Sequence, residues 1–205
     1  MAQNRSHAVM AQRAEPHDSF DFFPTPPWAT RALTQQLYRR GLFFPKSTVW
    51  EPACGQGHMA RPLSEFCITH ASDVHDYGFG EVDDFLLDFP RRKAFDWIIT
   101  NPPFRLAEQF VQTARHRALH GVAILVRTAF LEGVQRHAEL FSQHPPTLIL
   151  QFVERVPMVK GRVSKEATTA TSYCWIVWFR GQGTITAFDW IPPCRKRLER
   201  AGDYD

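Results

Sequence analysis

Residues 95–104 read FDWIITNPPF. Phe95, Trp97, Ile98, Ile99 and Thr100 suit a buried strand, and Asn101-Pro102-Pro103 stops it abruptly, with the aromatic Phe104 next. Proline fixes φ and carries no N–H. Asn101 therefore offers a side-chain carbonyl and Pro102 a backbone carbonyl on a corner that is rigid before any ligand arrives. A purely structural Pro-Pro corner needs neither the amide nor the ring. The corner suits a planar partner that carries an NH2 group, with Phe104 stacked on that ring.

Similar apolar runs lie on both sides. Residues 48–50 and 68–72 precede this strand, and residues 121–126, 148–153, 173–179 and 184–188 follow it. Helical spacing covers residues 27–40, 58–66, 106–119 and 130–141, the first opened by Pro27 and closed by Gly41. The alternation predicts an α/β fold: a doubly wound, mostly parallel sheet of seven strands with one antiparallel strand. Its last two strands are expected as a hairpin turned by Gly181-Gln182-Gly183. Ligands of such sheets bind beyond the carboxyl ends of the strands.

The chain of 205 residues suits one domain over residues 20–205, preceded by a polar, loosely ordered tail at 1–19. Hydrophobic residues make up 44% and charged residues 22%, enough for a full core. The net charge of +3 permits nucleic-acid binding without arguing for it. Cys54, Cys67, Cys174 and Cys194 are far apart and form no CxxC pair, and the nine histidines show no ligand spacing. Neither a metal nor a disulfide framework is expected, and a reducing cytoplasm fits best. No apolar leader or membrane-length run is visible. A monomer is the default.

Each strand end holds residues able to bind a ligand. After the first strand comes Glu51-Pro52-Ala53-Cys54-Gly55-Gln56-Gly57, whose two glycines let the backbone approach a ligand. It lacks the third glycine of a dinucleotide fingerprint, which counts against NAD. After the second strand stands Asp73, placed to accept from the hydroxyls of a ribose. Asp83-Asp84-Phe85 reads either as a helix start or as an adenine contact, an acid for the amine and a ring to pack on it.

In order, FFPTPPW, EPACGQG, SDV, DDFL and FDWIITNPPF resemble the motifs of the S-adenosylmethionine-dependent amino-methyltransferases, specifically the DNA adenine-N6 enzymes in their gamma arrangement. The resemblance covers residues 23–104 and continues to 188 only as a strand pattern. It implies a class I methyltransferase fold, Rossmann-like, with S-adenosylmethionine as cofactor. It also implies that Thr25, Pro26 and Trp28 hold the methionine end of that cofactor. Glu51, Pro52, Ala53, Cys54, Gly55 and Gly57 form the loop, Asp73 takes the ribose, Asp84 and Phe85 take the adenine, and Asn101 borders the cofactor. Asn101, Pro102, Pro103 and Phe104 are the implied catalytic corner. The aromatic that some relatives set on the second face of the target base has no clear match, and Met158 is the candidate for that place.

The implied partner is DNA, double- or single-stranded, with the target base flipped out. No separate target-recognition domain is expected. Arg105, Arg155, Lys160, Arg162 and Lys165 are the candidate phosphate contacts, which implies relaxed or very short sequence specificity. Two rivals remain: an enzyme acting on an amine of ribosomal RNA, and a non-catalytic module that binds S-adenosylmethionine or DNA.

Overall fold

The structure is a computed structural model that describes residues 21–87, 94–181 and 185–205. The tail expected at 1–19 and most of the 181–183 turn lie outside the described residues. The order of elements is α1 (Pro27–Arg39), β1 (Thr48–Glu51), α2 (Ala60–Ser64), β2 (Ile68–Asp73), β3 (Glu81–Val82), β4 (Phe95–Thr100), α3 (Ala107–Arg117) and β5 (Ala118–Arg127). It continues through α4 (Val134–Arg136), β6 (Leu148–Phe152), β7 (Tyr173–Phe179), β8 (Ala187–Ile191) and α5 (Arg195–Leu198).

The strands form one sheet in the order β3-β2-β1-β4-β5-β7-β6-β8. Among the described residues, only β7 runs against its neighbours, β5 and β6. The sheet of the described residues therefore has the expected α/β layout, with eight strands rather than seven. The extra strand is the two-residue edge Glu81–Val82. The chain reverses direction across the sheet between β1 and β4, so their carboxyl ends form the switch point where such sheets open a crevice.

Alternation along the strands sorts the core into two layers. Trp97 and Ile99 face α1 with Trp28, Leu33 and Leu37, whereas Ile98 faces α3 with Phe110 and Val111. Burial on both faces explains the continuous apolar runs in β4, β5 and β7.

Two expectations fail for physical reasons. The closing hairpin does not form, because β8 pairs in parallel with β6 and never with β7. The run YCWIVWF is buried at six of its seven positions and so needs a strand on each side, whereas β8 is mostly exposed and takes the edge. The helix expected at 130–141 breaks into a 3-10 turn (Thr128–Leu131), α4 and a π turn (His137–Phe141). Gly133, with φ 122°, separates the first two, a backbone state that a helix cannot contain. Among the described residues, no helix is long and apolar enough to cross a membrane.

Candidate active site

A cavity of about 350 Å³ opens at the carboxyl ends of β1, β2 and β4, within the size range of small-molecule sites. Its floor is the corner foreseen in the sequence. Asn101, Pro102, Pro103 and Phe104 all line it. Asn101 directly follows β4, and its Nδ2 donates to the Phe23 carbonyl at 2.9 Å and approaches Met158 Sδ at 3.8 Å. These contacts fix the amide so that Oδ1, buried and without a partner, is left as an acceptor. A buried acceptor with no donor is costly, so it marks a place that a ligand donor can satisfy.

Phe104 opens a 3-10 turn (Phe104–Leu106), and its N–H donates to Asp21 Oδ2 at 2.6 Å. Phe23 packs on its ring at 5.2 Å, and the Arg127 guanidinium stands 4.0 Å over the same ring.

The loop after β1 is held by the end of β2. Asp73 Oδ2 accepts from the Gly55 N–H at 2.9 Å and Oδ1 from the His75 N–H at 3.0 Å. Each carboxylate oxygen has room for a second bond, so Asp73 both shapes the loop and borders the cavity. Gly55 has φ 49°, and a Cβ on it would lie 2.3 Å from Phe22 Cε2. Phe22 in turn stacks on Tyr77 at 4.8 Å, so the segment before α1 crosses over the glycine loop.

Several charge states follow from burial. Glu51 is fully buried, accepts from Thr100 Oγ1 at 2.9 Å, and leaves Oε2 without a partner. Burial, aided by Asp73, pushes its carboxyl up to about 8. Burial, with Glu51 and Asp73 nearby, lifts the Cys54 thiol to about 12, so it stays neutral. His58 is lowered by burial first and then by Arg61, so its imidazole is neutral.

The residues singled out from the sequence divide into three groups. Thr25, Pro52, Ala53, Cys54, Asp73, Asp84, Phe85 and Asn101 line the cavity. Pro26, Glu51, Gly55 and Gly57 lie outside that lining. Trp28, expected at the methionine end of the cofactor, lies outside the lining: it is fully buried and packs edge-on against Phe152 at 5.6 Å, with Nε1 left without a partner. Phe85 reaches the cavity from within the core, packed on Trp50 and Phe110 at 5.0 Å each. DDFL is a turn rather than a helix start, with Asp84 Oδ1 accepting from the Leu86 N–H at 2.9 Å.

Met158, expected on the second face of the base, is buried beside Asn101, with Sδ 3.8 Å from the amide Nδ2, and lies outside the cavity lining. Arg155, Arg162 and Lys165 are exposed, and Lys160 half-buried, on the long segment between β6 and β7, at the same edge of the sheet; Arg105 is exposed beside Phe104. Sequence reading passed over Phe22, Val74, Tyr77 and Leu86, all of which line the cavity. Phe22 lay within the first motif. Val74 lay within the SDV motif and Leu86 within DDFL, whereas Tyr77 follows in a loop that carried no signal of its own.

No protein-family model matches the chain, and no curated protein matches it in sequence. Solved structures do match in fold. A Listeria monocytogenes protein described as a class I S-adenosylmethionine-dependent methyltransferase superposes with a TM-score of 0.60 at 12% identity, over 84% of this chain and 67% of that one. A Pyrococcus horikoshii protein described as an RNA methyltransferase gives 0.58 at 16%, over 80% and 89%. A Vibrio vulnificus YJ016 protein described as a modification subunit of a type I restriction enzyme gives 0.57 at 14%, over 82% of this chain but only 47% of that one. The fold is that of the class I methyltransferases. This chain spans about half the length of the restriction subunit that it resembles.

Proposed function

We propose that this protein transfers a methyl group from S-adenosylmethionine to the exocyclic N6 amine of adenine in DNA. The observation that carries this reading is Asn101 Oδ1, buried at the cavity floor without a partner while its Nδ2 is held by the Phe23 carbonyl. The cofactor fits the donors present. Thr25 Oγ1 is a second buried polar atom without a partner, Asp73 keeps acceptor capacity for hydroxyls, and Val74 and Leu86 offer apolar contact. Asp84 lines the same cavity, on the side where a ring amine would lie.

When bound, S-adenosylmethionine supplies a methyl group on a sulfonium centre. The chain supplies position and acceptors. The amine of adenine is a poor nucleophile because its lone pair is drawn into the ring. Asn101 Oδ1 and the Pro102 carbonyl accept from its two N–H groups and favour the pyramidal form, in which the lone pair is exposed. The prolines hold both acceptors in place, so no reorganisation is needed during reaction. A base within a duplex cannot reach this floor, so it is flipped out at a cost of a few kcal/mol, offset in part by stacking on Phe104. The exposed cations Arg155, Arg162 and Lys165 border the cavity's edge of the sheet and suit phosphate contacts, which position a duplex without reading its sequence. Relaxed or very short specificity follows.

An amine in ribosomal RNA is the second reading, favoured by the likeness to the P. horikoshii protein. One experiment separates them. Purified protein is incubated with tritium-labelled cofactor and either unmethylated DNA or ribosomal RNA, and the nucleosides are then identified. Label in N6-methyl-2′-deoxyadenosine of the DNA arm is expected. Label confined to RNA would overturn the DNA assignment, and cofactor binding with no transfer to either would favour a non-catalytic module.

A further inference from the structure

A flipped base has two faces, and Phe104 supplies a plane for only one. Met158 is buried against Asn101 and does not line the cavity. We propose that Arg127 does so, its guanidinium forming the second wall of a slot in which the base is held against Phe104. This rests on the methyltransferase reading above.

Arg127 is the last residue of β5, at the carboxyl edge of the sheet beside the end of β4. Its side chain is exposed, and Cζ lies 4.0 Å over the Phe104 ring. The backbone that carries it is well fixed: Arg127 pairs in register with Tyr173 on β7, and the next N–H, of Thr128, donates to the Ser172 carbonyl at 2.9 Å. The Tyr173 phenol lies beside the guanidinium, with burial raising it and Arg127 pulling against that rise. The base plate is thus anchored, and the guanidinium above it rests on the ring and against the Tyr173 phenol, two contacts it must leave to turn aside.

A guanidinium is planar and stacks on bases as it does on aromatic rings. In the present arrangement it closes the slot and shields the Phe104 ring from water. Admitting a base requires about twice the present 4.0 Å separation, a movement well within the reach of an exposed arginine. An exposed cation–π contact is weak enough to be opened in this way. The base then lies between a ring and a cation, with its amine directed to Asn101 and Pro102.

The alternative role, a phosphate contact, makes opposite demands. Charge alone suffices for a phosphate, whereas the slot needs a plane. Arg127→Met, Arg127→Lys and Arg127→Tyr are therefore compared in methyl transfer to unmethylated plasmid over a range of salt. The slot is expected to raise KM for DNA about tenfold in both the Met and Lys variants. It is also expected to leave KM for the cofactor unchanged and to keep the wild-type salt slope. The planar Tyr variant should restore most of the loss. Full rescue by Lys, with a salt slope shallower by about one in Met, would make Arg127 a phosphate contact and overturn the slot. Unchanged KM in all three variants would also overturn it while leaving the base reading intact. A wild-type protein that transfers no methyl to DNA would remove the base reading, and the slot with it.

Discussion

Two cavities lie at opposite ends of the central strands, and the smaller is the better site. The one at the carboxyl edge measures about 350 Å³; the other, near the start of β5, about 600 Å³. What separates them is unused bonding capacity. Thr25 Oγ1, His58 Nδ1 and Asn101 Oδ1 are buried without partners, and all three residues line the smaller cavity. Among the described residues, none of the atoms so left belongs to the lining of the larger one. There the polar groups serve the fold. Arg180 Nη2 donates to the Arg115 and His116 carbonyls at 2.9 and 3.4 Å, capping the end of α3, and Trp178 Nε1 donates to the His144 carbonyl at 2.9 Å. Volume shows where a ligand fits; unsatisfied groups show where one is needed.

Substitutions at the two ends should therefore differ in kind. The largest effect is expected at the corner: Asn101→Ala lowers kcat by roughly two to three decades, as for loss of a preorganised polar contact, while cofactor affinity by calorimetry stays near wild type. Near-normal turnover would detach the corner from the chemistry. Next comes Gly55→Ala. With φ 49° and Phe22 Cε2 2.3 Å from the added Cβ, the variant must shift the loop or the strap above it. A weakening of cofactor binding by about tenfold and a stability loss of about 1 kcal/mol are expected. Unchanged affinity would mean that the loop does not border the cofactor.

Glu51→Gln tests the buried acid between the two strand ends. Its carboxyl stands near 8 in the folded protein against an ordinary 4.5, so the folded state keeps a proton that the unfolded chain has released. Its contribution to stability is full below about 4.5, falls as pH rises to about 8, and is then flat. The Gln variant should lose this slope and gain on the wild type as pH rises, as read by denaturant titrations at pH 5 and 8. Parallel curves would mean that the acid is already paired. The smallest effect belongs to the larger cavity: Arg180→Ala should leave kcat unchanged and lower Tm by about 2–4 °C, the scale of one lost capping bond. A fall in kcat would make that cavity part of the machinery.

The residues best read from sequence are those whose chemistry is local. Asn101-Pro102-Pro103-Phe104 is a contiguous corner, and its rigidity follows from φ alone. Glycine spacing and the acid after β2 were legible for the same reason. What escaped depends on burial and on partners far along the chain. Trp28 and Phe85 sit in or beside ligand motifs, yet both are largely spent on packing, because large apolar groups gain more from the core. Met158 was the candidate for the second face of the base, and its burial against Asn101 depends on a segment far along the chain. The hairpin turn signal before β8 was local, whereas the doubly buried β7 demanded a neighbour on each side. Arg127 gave no sign at all, since its place over Phe104 arises only when β4 and β5 pair.

The most direct test is a crystal structure of the protein with S-adenosylmethionine or its demethylated product bound. The adenosine should lie toward Asp73 and Asp84, with the sulfur facing the Asn101–Pro102 corner across a gap wide enough for one amine. A cofactor whose sulfur points away from that corner, or one seated in the larger cavity, would contradict the assignment.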